Sequence, residues 1–126
     1  MAAVQTEFSL WTRNVELGVL DTTRELGIAL VAFSPVARGA LGGALKDVTT
    51  LGDRDLRRSH PRFDDRNWPR NLKLIEQFDA LARANGVAPA QLALTWILAR
   101  GDHVHAIPGT TAIPHMHENF ASADLA

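Results

Sequence analysis

Apolar and polar residues recur along the chain with two periods, which predict three strands and four helices. The continuous apolar run 30–33 is typical of a strand buried on both faces. The segment 2–8 instead alternates polar and apolar residues, as a half-buried strand does. The predicted strands are 2–8, 28–33 and 103–107, and the predicted helices are 15–26, 71–84, 89–98 and 113–121.

Several of these helices carry residues typical of helix ends. Asn14 is expected to cap the first helix, and Gly27 is expected to end it in a left-handed conformation. Pro89 suits the first turn of the third helix, where its missing N–H costs nothing. The second helix is expected to bury one apolar face, made of Leu72, Ile75, Phe78, Leu81 and Ala82.

The order of the elements predicts the fold class. Strand, helix, strand, long loop, two helices, strand, helix implies parallel strands joined by right-handed crossovers, which is an α/β layer. The length of 126 residues suits a single domain. Three strands are nevertheless few for a parallel sheet, which is normally covered on both faces. We therefore interpret the pattern as part of a larger α/β fold.

The connection over residues 34–69 is too long to be a simple loop. Loops longer than about 15 residues in a compact domain are usually functional or disordered. Arg38 supplies a cation there, and the glycines at 39, 42 and 43 leave the backbone accessible. This combination suits a phosphate-bearing ligand, and an ordinary strand exit with a solvated arginine is the alternative. The charged run 53–58 is interpreted mainly as solvated surface.

Composition and charge exclude several classes of partner. A net charge of −1 gives no reason to expect nucleic acid or an anionic membrane surface. The absence of cysteine excludes disulfides and thiolate chemistry. No apolar run approaches the roughly 20 residues that span a bilayer, and the first residues lack the features of a secretory signal. We therefore expect a cytoplasmic protein.

Histidine pairs are the one candidate for a metal site. His103 and His105 would share a face of the predicted strand, whereas His115 and His117 diverge on a helix. No carboxylate or third histidine stands at ligand spacing from either pair. We therefore expect solvated or hydrogen-bonded histidines and no metal.

Five segments are spread over almost the whole length of the chain: VQTEFSLWTRNVE, ELGIALVAFSPVARGALGG, PRFDDRNWPRN, APAQLALTWILARG and AIPGTTAIPHMHENFASADL. In their order and spacing they resemble the C-terminal half of an aldo-keto reductase. The resemblance implies a partial (β/α)8 TIM barrel over residues 1–126, about strands six to eight with their helices. It also implies a bound NADP(H), with NAD(H) as the alternative, and hydride transfer to an aldehyde or ketone without a metal.

The resemblance assigns cofactor contacts residue by residue. Gln5 matches the position that holds the nicotinamide carboxamide, and Phe33 matches the position of an aromatic ring that stacks on the nicotinamide. The loop that covers the pyrophosphate is matched by Ser34, Pro35, Val36, Arg38, Gly39 and Leu41. The adenosine end is matched by Gly109, Thr110, Thr111, His115, Glu118 and Asn119.

The chain departs from the family pattern at two places. Thr111 and Ala112 stand where many relatives carry the Lys or Arg that binds the 2'-phosphate, so the choice between NADP(H) and NAD(H) stays open. The family's catalytic Asp, Tyr, Lys and His lie on the first half of the barrel, and this sequence contains no tyrosine. Lys46 and Lys73 do not match the catalytic lysine. We therefore expect that the chain alone does not act as a reductase.

Two interpretations follow from these departures. In the first, the chain is the cofactor-binding portion of an NAD(P)H-dependent aldo-keto reductase, truncated or split, and takes a small carbonyl substrate only when the barrel is completed. The start of the chain just before strand six favours this fragment. In the second, it is a non-catalytic dinucleotide-binding or interaction module that assembles with itself or with a partner half-barrel, because open sheet edges favour association.

Overall fold

The computed structural model describes residues 2–125 and shows an α/β arrangement around one parallel sheet. Its strands, in spatial order, are β1 (Ala3–Glu7), β2 (Ala29–Phe33) and β3 (Val104–Ala106). Ala3 lies opposite Ala29, and Leu30 lies opposite Val104. The α/β class and the parallel pairing predicted from the sequence are confirmed.

Helices fill both crossovers between the strands. They are α1 (Val19–Glu25), α2 (Trp68–Ala84), α3 (Pro89–Leu98) and α4 (Ile113–Ala121). α1 connects β1 to β2, α2 and α3 lie between β2 and β3, and α4 follows β3. The bounds predicted for α3 and α4 are confirmed. Short 3-10 helices lie at Asn14–Leu17, Ala37–Gly42, Val48–Thr50, Leu56–Ser59, Pro61–Phe63 and Ser122–Leu125.

One face of the sheet packs against helices, and we call it the covered face. Leu30 and Ala32 are completely buried on it, and Val104 of β3 lies beside them. Apolar side chains from the segment after β1, from α1 and from α3 complete this core. Its buried members are Phe8, Val15, Leu20, Leu30, Ala32, Ile97 and Val104.

The other face of the sheet is not covered by the described residues, and we call it the open face. Side chains alternate along a strand, and strand register therefore places Gln5, Glu7, Val31, Phe33 and His105 there. Val31 and Phe33 are only half-buried, and Gln5 is exposed. The expectation that the second strand is buried on both faces is therefore wrong for residues 2–125.

A second core lies under the long segment between β2 and α2. Trp68 and Phe63 stack at 5.6 Å, and the Trp68 indole Nε1 donates to the carbonyl oxygen of Lys46 at 3.2 Å. This packing holds the long segment as ordered structure with short helices. The buried members of the second core are Ala37, Ala40, Leu41, Val48, Leu51, Phe63, Trp68, Ile75 and Ala93.

The first predicted helix, 15–26, is interrupted at Gly18. This glycine adopts φ 142°, which separates the 3-10 helix Asn14–Leu17 from α1. Asn14 lies inside the 3-10 helix and its side chain caps nothing there, so the predicted cap is wrong. Gly27 has φ 62°, which confirms the left-handed end expected after α1.

The second predicted helix, 71–84, begins three residues earlier than expected, at Trp68. The Asp64 carboxylate accepts the backbone N–H groups of Arg66 and Asn67, and this local turn leads the chain into α2. Of the predicted apolar face, Ile75 and Ala82 are buried, and Leu72 and Phe78 are half-buried. Leu81 is 55% exposed, so its assignment to the buried face is wrong.

Neither a metal cluster nor a membrane-spanning helix is found among residues 2–125. His103 lies outside β3, and its Nε2 contacts the carbonyl oxygen of Leu20 at 3.2 Å, so it does not pair with His105 on a strand. Groups of three or more His, Cys, Asp or Glu residues that could hold a metal are absent from the described chain. None of the described helices is long and apolar enough to cross a bilayer.

Candidate functional site

A groove of about 490 Å³ lies at the carboxyl ends of β2 and β3. In a parallel α/β layer this is the edge at which ligands bind, because the loops that follow the strands meet there. The groove brings together two segments that lie some seventy residues apart in the sequence. The sequence-predicted cofactor residues that line it are Val36, Gly39, Gly109, Thr110, His115, Glu118 and Asn119.

The remaining predicted cofactor residues do not line the groove. Pro35 and Leu41 belong to the loop that follows β2, and both are buried. Thr111 lies on the neighbouring apolar pocket. Gln5 and Phe33 lie on the open face of the sheet, where an exposed amide and a half-buried aromatic ring are accessible to a planar group.

The loop after β2 has an unusual backbone. Ser34, Ala37 and Arg38 adopt φ values of 51°, 51° and 54°, a left-handed conformation that non-glycine residues rarely take. Strain of this kind is concentrated at ligand clamps and active sites. The loop is also tightly packed, since a Cβ on Gly43, whose φ is 84°, would approach the Pro89 ring to 3.0 Å.

Arg38, the expected phosphate-binding cation, is held by a carboxylate on the other side of this loop. Its Nη1 and Nη2 donate to the two oxygens of Glu7 at 2.7 and 2.9 Å. The ion pair lowers the pKa of Glu7 and raises that of Arg38. Both side chains lie outside the groove, in a separate cleft at the end of β1. Arg38 is therefore not among the residues that line the groove.

Arg57, by contrast, lies in the groove. Its Nη1 donates to the carbonyl oxygen of Arg38 at 3.3 Å, and its guanidinium is paired with Asp55. Asp55 accepts from the Arg57 Nε, Nη2 and backbone N–H, which lowers the pKa of this carboxyl to about 2. The same pairing raises the pKa of Arg57.

The position of Arg57 in the groove was not predicted from the sequence, from which residues 53–58 were interpreted mainly as solvated surface. One feature of the sequence indicated a function for this segment. The connection 34–69 is longer than a loop that only joins two elements needs to be. The position of Arg57 depends on the second core, which folds its 3-10 helix back against the loop after β2. Among the described residues that line the groove, Arg57 is the sole Lys or Arg.

An apolar pocket of about 710 Å³ adjoins the groove between α3 and α4. It lies beside the edge of β3 that pairs with no strand among residues 2–125. Ile113 and Phe120, which line it, are 68% and 73% exposed. Side chains of this size are rarely left in water together on a stable monomer surface.

The chain belongs to the aldo/keto reductase family, because the model of that family matches residues 1–126. The aldo-keto reductase yakc of Schizosaccharomyces pombe, named for NADP(+), is 39% identical over 97% of this chain and 37% of its own length. Probable aldo-keto reductase 1 of Glycine max is 40% identical over 97% of this chain and 35% of its own length. The chain thus spans about a third of the length of these curated relatives.

Solved structures show the same fold. The glycerol dehydrogenase of Gluconobacter oxydans aligns with a TM-score of 0.78 at 24% identity, over 99% of this chain and 42% of that chain. An aldo-keto reductase of Klebsiella pneumoniae in complex with NADPH aligns with a TM-score of 0.65 at 24% identity, over 98% of this chain and 34% of that chain. The three parallel strands therefore correspond to part of an aldo-keto reductase barrel.

Proposed function

We propose that this chain is the dinucleotide-binding portion of an NAD(P)H-dependent aldo-keto reductase, and that it corresponds to strands six to eight of the barrel. The observation that carries the proposal is the groove, which unites the loop after β2 with the segment 109–119. These are the two stretches that the family pattern assigns to the pyrophosphate and the adenosine. A volume of about 490 Å³ suits part of an extended dinucleotide.

The chemistry of the groove fits a dinucleotide in several respects. Arg57 supplies a cation whose position is fixed by Asp55. Its Nη1 makes one long contact, to the carbonyl oxygen of Arg38, so this nitrogen can also donate to a phosphate oxygen. Thr110 adds a hydroxyl, and Asn119 offers donors and an acceptor for a base or ribose. On the open face, Gln5 and Phe33 suit the nicotinamide end. A bound nicotinamide would supply the hydride in this reaction.

Catalysis in this proposal requires residues that this sequence does not contain. Reduction of a carbonyl needs a proton donor aimed at the oxygen that gains charge. The family uses a tyrosine, and none is present among the 126 residues. The described residues therefore bind and orient the dinucleotide. The proton donor comes from the remainder of a barrel, which also completes the site for an aldehyde or ketone substrate.

The first test is direct binding, followed through the fluorescence of NADPH on titration with the chain. Arg57→Gln is expected to weaken binding about tenfold, because a charge-assisted hydrogen bond to phosphate is lost. Arg54→Gln is the matched control, since Arg54 is exposed and lies outside the groove. Equal affinity of the Arg57→Gln variant and the unmodified chain would exclude the proposed placement of the phosphate.

A second titration distinguishes the two cofactors. The positive charge of Arg57 is offset by the carboxylates of Asp55 and Glu118 in the groove. Thr111 and Ala112 provide no further cation. We therefore expect NADPH and NADH to bind within about tenfold of each other, since one missing charged contact accounts for a factor of that size. Thr111→Arg is expected to shift the preference toward NADPH. A strong preference of the unmodified chain for NADPH would contradict the expectation that few charged contacts hold the 2'-phosphate.

We infer a second candidate function, a module that assembles with itself or a partner half-barrel, from the open face and from the edge of β3 that pairs with no strand among residues 2–125. Both features, with the apolar pocket beside Phe120, are suited to contact with further strands. The mass of the native polypeptide, measured after immunoprecipitation, separates the two candidates. A mass near 13.7 kDa favours a separate module, and a mass of twice that or more favours a complete reductase.

A further inference from the structure

The cleft at the end of β1 is a separate cavity of about 340 Å³. The loop after β2 divides it from the dinucleotide groove, and the two cavities have no lining residue in common. Its volume lies at the lower end of the range of small-molecule sites. The residues that line it are Glu7, Trp11, Thr12, Asn14, Ala37, Arg38, His60, Pro61, Arg62 and Phe63.

A chain of hydrogen bonds links the charged groups of this cleft. Arg38 donates to both oxygens of Glu7, and Thr12 Oγ1 donates to Glu7 Oε1 at 3.1 Å. Arg62 Nη1 in turn donates to Thr12 Oγ1 at 2.8 Å. Glu7 is therefore fully compensated by Arg38, and its pKa lies below the ordinary value, chiefly because of the hydrogen bond from Arg38.

Arg62 is left as a cation without a carboxylate partner. Among residues 2–125, no acidic side chain lies within ion-pair distance of it. Its guanidinium carbon lies 5.3 Å from the centre of the Trp11 ring, and its backbone oxygen accepts from Asn71 at 2.8 Å. Arg62 is exposed; the hydrogen bond to Thr12 and the Trp11 ring orient its side chain, while Nη2 and Nε make no hydrogen bond to the described residues. A guanidinium oriented in this way is suited to donate hydrogen bonds to a carboxylate.

Beside the polar side chains of Thr12, Asn14 and His60, part of the cleft lining is apolar. Trp11 and Phe63 lie with their ring centres 6.1 Å apart, and Ala37 and Pro61 contribute further carbon surface. Since Glu7 cancels Arg38, the lining carries an excess of one positive charge from Arg62 when His60 is neutral. We propose that this cleft binds a small monocarboxylate with an apolar or aromatic body, the carboxylate against Arg62 and the body against Trp11 and Phe63.

This proposal does not depend on the dinucleotide groove, because it is tested without any dinucleotide. The chain is titrated with benzoate, and the signal of the Trp11 indole N–H is followed by NMR. Benzamide, which has the same shape without the charge, and acetate, which has the charge without the ring, are titrated in parallel. We expect benzoate to shift the Trp11 signal and to bind about tenfold more tightly than either comparator.

Variants at Arg62 locate the charge that is recognised. Arg62→Gln is expected to weaken benzoate binding about tenfold, and Arg62→Lys is expected to retain part of it. Arg66→Gln is the matched control, because Arg66 is an exposed arginine of the same segment outside the cleft. Absence of benzoate binding, equal binding of benzamide, or an equal loss in Arg66→Gln would overturn the proposal.

Discussion

The covered and open faces of the sheet are made by alternate residues of the same strands, yet they have opposite surroundings. On β2, Leu30 and Ala32 are completely buried, whereas Val31 and Phe33 between them stay partly exposed. The covered face is apolar throughout its core, and the open face carries Gln5, Glu7 and His105. The comparison teaches that neighbouring positions of one strand alternate between a buried core and an accessible face. We expect stability to depend on the covered positions and the proposed dinucleotide binding to depend on the open ones. Substitutions on the two faces should therefore separate the two properties.

The largest effect on stability is expected from Leu30→Ala. Leu30 is completely buried on the covered face, and truncation of such a side chain costs about 2–5 kcal/mol through lost burial and the cavity left behind. The adjacent Val31→Ala, on the open face, is expected to cost about 1 kcal/mol or less. Urea denaturation midpoints with an unchanged slope measure both. Equal losses of stability at Leu30 and Val31 would contradict the proposed difference between the covered and open faces.

A smaller effect is expected at the ion pair that joins Lys46 of the long segment to Asp79 of α2. Asp79 is 2% exposed, and its Oδ2 is bonded to Lys46, which is half-exposed. Lys46→Met leaves the buried carboxylate without its partner and is expected to cost roughly 1–3 kcal/mol. Asp79→Leu in the same chain should restore most of that loss, since no buried charge remains.

The double variant also decides whether the ion pair has a further role. If the Lys46→Met and Asp79→Leu double variant stays as unstable as Lys46→Met alone, the carboxylate has a further stabilising partner. If Lys46→Met has no effect, the Asp79 charge is solvated and this segment behaves as surface. The first result would narrow the difference in stability between the covered core and the long segment, and the second would widen it.

The smallest effect concerns pH and the open face. The folded-state pKa of Glu7 lies below its ordinary value of 4.5, so its contribution to stability is complete above that value and is lost as pH falls through the folded pKa. Glu7→Gln should abolish that part of the acid dependence while costing about 1 kcal/mol or less at neutral pH. Urea denaturation at a series of pH values measures it. A steeper acid loss in Glu7→Gln than in the unmodified chain would contradict the assignment.

The sequence was sufficient for elements with strong local signals and insufficient where tertiary packing decides. Pro89 and the apolar run after it located α3, and the alternation of elements predicted the parallel sheet. The break at Gly18 could not be anticipated, because an isolated glycine is tolerated in a helix and only its φ of 142° shows the interruption.

Two arginines near the candidate site, Arg38 and Arg57, show the same limit. Arg38 stands in a recognisable loop, but its side chain turns to Glu7, a partner 31 residues away. Arg57 stands in a run of charges with no distinguishing pattern, and long-range packing places it in the groove. Local sequence identifies a loop that follows a strand, whereas the direction of a charged side chain depends on partners that only the folded chain brings near.

The parallel pairing of β2 with β3 has a consequence for the order in which the chain folds. β1, α1 and β2 are contiguous, so this unit can form from nearby contacts. β3 can pair with β2 only after the whole stretch between Phe33 and Val104 has been made and packed. During synthesis the edge of β2 therefore stays unpaired while α2 and α3 emerge. The backbone amides on the edge of β2 that faces β3 should be the last of the sheet to gain protection in a pulsed hydrogen-exchange experiment.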